Sequence, residues 1–322
     1  MIINLEKFLL DCVLTYPYRD PDSGALKTKK AVAASTASEY CNQVSMYWKE
    51  LSNSQEDVHL HPSIKSLKNH LRKSLPHRSK QKEGITASLL QHMVQSAESL
   101  HGPASMQAAL FLYMFMALLR PGEVSVTSRY PLWDISRHPA CGDFSFWDGS
   151  CQRTPGDGGP IPARLEACIK DSKTDTWRLT KQVIIGATKK RHLCAVTAMW
   201  EYMAARKGQP HEPLFLDNGR PLSYDRLRVH MNAALKVAQV SNTSAFGGHS
   251  FRVGGAQALA LANKSTEYIM AMGRWKCVES VLTYVKTPTE LRMTDAAAMV
   301  TPHIACVQPV ARHMQATVAA IN

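Results

Sequence analysis

The sequence predicts a mostly α-helical protein with a small antiparallel β-sheet, the α+β class, divided into two domains. Apolar residues recur at the three- and four-residue spacing of helices over most of the chain. Near the middle, short alternating segments between turn residues predict strands. A length of 322 residues is typical of two domains, and 45% hydrophobic with 20% charged residues is typical of globular proteins.

The predicted first domain, residues 1–78, is small and helical. It opens with an amphipathic segment, which is followed by a turn-rich stretch. From Ser35 the helical spacing returns, carried by Tyr40, Val44, Tyr47, Trp48 and Leu51. A second helix is predicted from Ser63 to Leu75, with its apolar residues inward: Ile64, Leu67 and Leu71.

A basic segment separates this domain from the predicted second domain, residues 79–322. Between His61 and Gly84 the chain has seven basic residues and one acidic residue. The basic ones are Lys65, Lys68, Arg72, Lys73, Arg78, Lys80 and Lys82. By itself such a run is equally typical of a solvated helix that leads into a linker and of a surface that binds nucleic-acid phosphates.

Two helices are predicted at the start of the second domain. The first covers Ile85 to Ser96, with Thr86 as its N-cap. The second is the strongly apolar stretch from Ser105 to Leu119, which Pro121 and Gly122 terminate. Arg120 is therefore expected at the end of a buried helix.

A small antiparallel sheet is predicted between Trp133 and Gly186. Its strands are Asp143 to Trp147, Arg164 to Lys170 and Lys181 to Gly186. A Gly/Pro-rich loop is expected at residues 152–162, and the turn between the last two strands reads DSKTDTWRLT. Two amphipathic helices, His192 to Arg206 and Ser223 to Val240, follow the sheet.

The most informative stretch, residues 247–286, is predicted to form three short helices. His249 and Arg252 are three residues apart, so a helix places them on one face. Trp275 follows Arg252 by 23 residues, and Tyr284 follows Trp275 by nine. Arginine binds phosphate oxygens through a fork of donors, histidine can move a proton, and a tyrosine hydroxyl can act as a nucleophile. These residue types suit an attack on a phosphodiester.

The sequence HSFR, then GRW, then a tyrosine nine residues later resembles the C-terminal signature of the tyrosine recombinases. These phage-integrase-like enzymes break and rejoin DNA. Arg120 followed by Glu123 resembles the first conserved box of that family, although Pro121 is a modest departure. The SKTD turn also resembles recombinases of eukaryotic mobile elements.

The resemblance implies a catalytic domain of the tyrosine-recombinase type preceded by a small helical, SAM-like DNA-binding domain. It implies that Arg120 and Arg252 hold the phosphate, that Glu123 supports them, and that Trp275 donates to a phosphate oxygen. His249 is then the proton relay and Tyr284 the nucleophile. The family also has an essential lysine on a turn between two strands. Lys173 matches it best, Lys170 is the alternative, and Lys181 is a third choice.

By the same resemblance, the chain is a site-specific recombinase or integrase that forms a covalent 3′-phosphotyrosine intermediate. Its partner is double-stranded DNA, four protomers assemble on two duplexes, and neither a metal nor a nucleotide cofactor is needed. The formal net charge of +12 also favours a polyanionic partner. The alternatives are an inactive DNA-binding protein derived from a mobile element, a type IB topoisomerase-like enzyme, and a basic helical protein with a chance match.

The cysteines and the apolar runs argue against a zinc-binding protein and against a membrane protein. Eight cysteines are scattered without a Cys-x-x-Cys pair, which argues against a zinc module and is typical of reduced thiols in an intracellular protein. The most apolar run, Ala108 to Leu119, is too short to cross a membrane. We therefore expect an intracellular protein without a membrane partner, in the nucleus if the source is eukaryotic and in the cytoplasm otherwise.

Overall fold

A computed structural model describes residues 2–14, 16–19, 26–29, 32–74, 82–128, 130–170 and 181–285. The chain divides into two units, residues 1–81 and 82–322. Helices dominate the described residues of both units, and the largest sheet is a small antiparallel one. The predicted α+β class is confirmed.

The first unit consists of three helices and a hairpin. The helices are α1 (Ile2–Val13), α2 (Ala34–Ser52) and α3 (Pro62–Ser74). Between α1 and α2, strands β1 (Tyr16–Arg19) and β2 (Leu26–Lys29) pair in antiparallel fashion, with Tyr16 opposite Lys29. The sequence predicts only turns in this hairpin region.

The core of the first unit lies where α1 and α3 meet the small residues of α2. Leu5 and Leu9 of α1 and Ile64 of α3 are fully buried. On α2, however, the buried residues are small ones: Ala37, Ser38, Cys41 and Ser45. The larger apolar residues that predict this helix lie on its exposed face: Tyr40, Val44, Tyr47 and Leu51. The helical period is correct, but the small side chains face inward because they allow the neighbouring helices to approach closely.

The second unit is built around a helix that is buried on all sides. Helix α4 (Ala87–His101) begins at Thr86, whose hydroxyl accepts a hydrogen bond from the Leu89 N–H at 3.2 Å. Helix α5 (Met106–Met116) follows, and its residues from Ala108 to Phe115 are all buried. The helix ends earlier than the predicted Leu119, because Leu118 adopts a left-handed backbone with φ of 50°.

A four-stranded antiparallel sheet covers one side of the second unit. Its strands are β3 (Phe144–Asp148), β4 (Cys151–Arg153), β5 (Arg164–Ile169) and β6 (Lys181–Gly186), in the order β4-β3-β5-β6. Phe146 pairs with Leu165, and Leu165 pairs with Ile185, so three apolar side chains share one face. Strand β4 lies partly where the sequence predicts a loop, since a tight turn at Gly149 with φ of 58° folds it back onto β3.

The remaining elements complete the second unit. They are α6 (Ala195–Arg206), β7 (Leu216–Asp217), β8 (Arg220–Pro221), α7 (Tyr224–Val237), α8 (Ser250–Leu261), α9 (Thr266–Gly273) and α10 (Val278–Tyr284). The three short helices predicted for residues 247–286 are α8, α9 and α10. The Phe111 ring of α5 stacks on the Phe251 ring of α8, with 5.3 Å between their centroids.

Two adjacent glycines allow α8 to pack directly against neighbouring main chain. A Cβ at Gly254 would lie 1.9 Å from the carbonyl oxygen of Ile85, and one at Gly255 would lie 2.4 Å from that of Phe115. Only a residue without a side chain fits at either position. This close approach brings Arg252, which lies two residues before Gly254 in α8, to the end of α5.

Candidate active site

Arg252 lies at the centre of the candidate site and is only 1% exposed. Its guanidinium donates one hydrogen bond to the carbonyl oxygen of Leu118, just beyond α5, and one to that of Gly273, at the end of α9. Its central carbon lies 4.0 Å from the ring centroid of Trp275. Arg252 therefore joins α5, α8 and α9 at one point.

Burial lowers the pKa of Arg252 from its ordinary value to about 9, and the neighbouring positive charge of Arg120 contributes in the same direction. Glu123 and Tyr284 have the opposite effect on this pKa. The guanidinium is still charged at neutral pH, in a place that disfavours its charge. An anion that entered the site would stabilise the charged form of the Arg252 guanidinium.

Arg120 and Glu123 form a compact pair directly after α5. The Arg120 guanidinium donates to Glu123 Oε1 at 3.0 Å, and the Arg120 backbone N–H donates to Oε2 at 2.8 Å. The side chain of Glu123 is 2% exposed, whereas that of Arg120 is 16% exposed. Arg120 is thus oriented by a buried carboxylate and still reaches the surface.

A third arginine, Arg274, is not among the residues that the sequence predicts for the site. Its guanidinium donates to Glu123 Oε2 at 2.9 Å and to the carbonyl oxygens of Ala117 at 3.0 Å and Leu118 at 3.2 Å. It is buried, and its backbone is left-handed with φ of 58°. The available signal was an arginine inside the GRW tripeptide, directly after a helix-ending glycine.

Trp275 and Tyr284 form the aromatic wall of the site. Their ring centroids are 5.4 Å apart at an interplanar angle of 40°. Trp275 is buried among Leu118, Ile269 and Val281, and the half-buried Tyr284 packs against the same cluster. Tyr284 is the last residue of α10. The structure therefore brings five of the predicted residues together: Arg120, Glu123, Arg252, Trp275 and Tyr284.

His249 lies at the N-cap position of α8 and is exposed, whereas Arg252 one turn later is buried. The two side chains therefore do not share one environment, although they are three residues apart. The start of α8 packs on the segment that carries Arg120, since a Cβ at Gly248 would lie 2.4 Å from Pro121 Cγ. His249 is thus held at the edge of the site and faces solvent.

The position of the predicted lysine lies outside the described residues, since Lys173 falls in the segment 171–180, and the side chain of Lys181 is not described either. Lys170, the alternative, forms an ion pair with Asp143 at 2.6 Å and donates to the carbonyl oxygen of Ile135 at 2.8 Å. Its ammonium is thus already used in holding β5 to the preceding loop.

Three of the predicted DNA-binding residues line one open cleft of about 430 Å³ between α2 and α3: Lys65, Lys68 and Arg72. Lys68 is buried and donates to Asn42 at 2.7 Å, while Lys65 and Lys73 are exposed. Lys82 belongs to the second unit, where it donates to the carbonyl oxygen of Ser244 at 2.6 Å. Arg78 and Lys80 lie outside the described residues.

The described ranges contain neither a metal-ion cluster nor a membrane-spanning helix. No group of three or more His, Cys, Asp or Glu side chains there is arranged to hold a metal ion. None of the helices described above has the length and apolar character needed to cross a membrane.

Solved structures of recombinases and integrases are similar to this chain. XerA recombinase is 12% identical, with 94% of this chain and 93% of that chain covered and a TM-score of 0.47. The Tn1549 transposon integrase in complex with transposon right end DNA is 10% identical, with 93% and 85% covered and a TM-score of 0.49. A lambda integrase dimer bound to a core site is 14% identical, with 89% and 88% covered and a TM-score of 0.44. No protein-family model matches the sequence, and neither does any curated protein.

Proposed function

We propose that this chain is a tyrosine recombinase, which cleaves and rejoins DNA through a covalent bond between Tyr284 and a DNA phosphate. One observation carries the proposal. Arg120 and Arg274 share the buried carboxylate of Glu123, and the neighbouring Arg252 stacks on Trp275, which packs against Tyr284. Packing alone would not require three arginines at one point, because buried charge is costly.

The charge balance of the site suits a phosphodiester. Arg120, Arg252 and Arg274 bring three positive charges, and Glu123 brings one negative charge. The excess of positive charge is confined to a largely buried cluster, where electrostatic interactions are stronger than in water. Negative charge that develops on the non-bridging oxygens during attack would be stabilised there.

The proposed reaction is a transesterification. The Tyr284 oxygen forms a bond to phosphorus while the bond from phosphorus to the 5′ oxygen breaks. The Tyr284 hydroxyl has an ordinary pKa of about 10, so it must lose its proton during the attack, and we assign this proton to His249. Lys173 is the proposed acid that protonates the departing 5′ oxygen. The ester keeps the energy of the broken bond, so a second 5′-hydroxyl can reseal it.

Residues 1–78 are the proposed DNA-binding domain, and residues 79–322 are the proposed catalytic domain. We assign phosphate contacts to Lys65, Arg72 and Lys73 of α3, which would give affinity that falls steeply with salt. Exchange between two duplexes would give integration, excision or inversion. A tetramer on two DNA sites is the assembly we propose for it.

The test uses DNA duplexes with a randomised core and a 5′-bridging phosphorothiolate at the cleavable positions, which traps the covalent complex because the thiol product reseals poorly. Wild type is expected to form a protein–DNA adduct whose mass maps to the peptide that contains Tyr284. Tyr284→Phe should form none. Tyr268→Phe, which changes an exposed tyrosine of α9, is the matched control and should react normally.

Two other outcomes would replace the proposal. Sequence-selective binding without any adduct from wild type would identify a DNA-binding protein that has lost its chemistry. Adducts spread over all sequences, together with relaxation of supercoiled plasmid, would identify a topoisomerase.

A further inference from the structure

We propose that Arg274 is a positioning residue of the candidate site. It holds the Glu123 carboxylate, and this keeps the Arg120 guanidinium oriented. Because Arg274 adds a second positive charge, Arg120, Glu123 and Arg274 together present a net positive charge to the DNA phosphate. Arg274 itself is assigned no contact with DNA, because each of its two terminal nitrogens already donates to two acceptors within the protein. The inference rests on the proposed function, since it assigns a role within that same reaction.

The geometry around Glu123 shows how the carboxylate is held. Oε1 accepts the Arg120 guanidinium at 3.0 Å. Oε2 accepts the Arg120 backbone N–H at 2.8 Å and the Arg274 guanidinium at 2.9 Å. The carboxylate is therefore fixed between the loop after α5 and the end of α9. Apart from Arg274, the described donors to this carboxylate both belong to Arg120, three positions away in the chain.

The same arrangement determines how much positive charge Arg120 can offer. A carboxylate that paired with Arg120 alone would largely cancel its charge at 3.0 Å. Because Arg274 shares the carboxylate, the group of three residues keeps a net positive charge. Arg120 is the member of this group that reaches the surface, with 16% of its side chain exposed.

A purely structural role for Arg274 is the competing explanation, since its guanidinium also donates to the carbonyl oxygens of Ala117, Leu118 and Met272. The backbone at Arg274 argues for more than this. A left-handed φ of 58° costs a non-glycine residue about 1 kcal/mol or more, and glycine would adopt it freely. In addition, Arg274 Nε is buried without an acceptor among the described residues, a further cost. Retaining arginine at this position is explained if its charge on Glu123 is needed.

The test is a double-mutant cycle of Arg274→Gly and Arg120→Met, measured as the single-turnover rate of adduct formation. Arg274→Gly removes the guanidinium while it relieves the left-handed backbone. We expect it to slow adduct formation by about 100-fold, the effect of a misplaced catalytic group. If Arg274 acts through Arg120, it should have less than a threefold further effect once Arg120 is methionine. An equal loss in both backgrounds would overturn the proposal.

A binding measurement separates positioning from DNA contact. Because the terminal nitrogens of Arg274 donate to acceptors within the protein, Arg274→Gly should leave the salt dependence of DNA affinity unchanged, since no phosphate contact and no released counterion is lost. A shallower salt dependence would show that Arg274 contacts DNA and would refute the positioning role. Arg274→Lys keeps a charge near Glu123 and is expected to recover at least tenfold of the lost rate.

A second readout does not depend on cleavage, so it remains informative if wild type forms no adduct and the proposed function fails. In protein labelled with ¹⁵N-arginine, the Arg120 side-chain N–H signal is identified by its absence in Arg120→Met. We expect this signal to shift and to exchange faster with water in Arg274→Gly, and to stay near its wild-type position in Arg274→Lys. An unchanged Arg120 signal in Arg274→Gly would overturn the inference.

Discussion

Replacement of Glu123 by glutamine tests whether the charge of one carboxylate stabilises the candidate site. Glutamine keeps the shape of glutamate, but it removes the negative charge and puts an NH₂ donor where an acceptor stood. Glu123 now accepts hydrogen bonds from both the Arg120 and Arg274 guanidiniums. In Glu123→Gln at least one of these guanidiniums faces the NH₂ group of the glutamine, which is also a donor. The buried positive charge of Arg274 then loses its negatively charged partner.

The expected size of the effect follows from burial. The Glu123 side chain is 2% exposed and that of Arg274 is 5% exposed. Removing one partner of a buried ion pair costs about 3–5 kcal/mol. Arg120 is partly reached by water, so we expect the lower end, about 3 kcal/mol. At about 2–4 °C per kcal/mol for a domain of this size, Glu123→Gln should lower the melting temperature by about 6–12 °C.

Calorimetry on the full chain measures this change, and Glu201→Gln provides a matched control. Glu201 accepts two hydrogen bonds from Arg191, whose side chain is 46% exposed. An exposed pair of this kind contributes at most about 1 kcal/mol, so the control should melt within about 4 °C of wild type. If Glu123→Gln melted as high as Glu201→Gln, the carboxylate would not be the anion that stabilises this cluster.

Three further predictions concern packing, pH and proton transfer. Gly255→Ala should lower the free energy of unfolding measured in a urea titration. The overpacking cost against Phe115 is about 1–3 kcal/mol, and it exceeds the helix-propensity gain of about 1 kcal/mol. An unchanged urea midpoint would contradict the close packing of α8 at this glycine. A hydrogen bond from Arg226 holds the pKa of Asp217 below its ordinary value. The resulting stability is present above a pH of about 4 and is lost as the pH falls further, so Asp217→Asn should be less stable than wild type at pH 7, by a difference that shrinks as the pH is lowered below about 4; a constant difference would refute this. Lys173→Met should block cleavage of ordinary DNA but not of 5′-phosphorothiolate DNA, whose leaving group needs no proton. Lys170→Met should cleave both substrates. If Lys170→Met cleaved only the phosphorothiolate DNA and Lys173→Met cleaved both, Lys170 would be the acid.

Much of the fold could be predicted because period and capping are local properties. The helical period located α3, α5, α6 and α7 to within three residues and placed three short helices in residues 247–286, and Thr86 marked the start of α4. The inward face of α2 could not be predicted in the same way. Which face is buried depends on how closely α1 and α3 approach, and the sequence of one helix does not contain that information.

The candidate site was predictable where spacing along the chain decides the contact and unpredictable where the tertiary fold decides it. Arg120 and Glu123 are three residues apart, and their ion pair forms within one turn. By contrast, Arg274 meets Glu123 from 151 residues away. The left-handed backbone of Leu118, which presents its carbonyl oxygen to two arginines, likewise has no local signal, since leucine seldom adopts it.

The two buried guanidiniums are held mostly by main-chain oxygens at the ends of helices. Ala117 and Leu118 follow α5, and Gly273 ends α9, so their carbonyls carry the partial negative charge of peptide dipoles. Such dipoles solvate a cation without adding a carboxylate that would repel an approaching polyanion. In the proposed reaction, these main-chain carbonyls also remain in place when the resealed duplex departs. Product release therefore leaves both buried guanidiniums still solvated by hydrogen-bond acceptors.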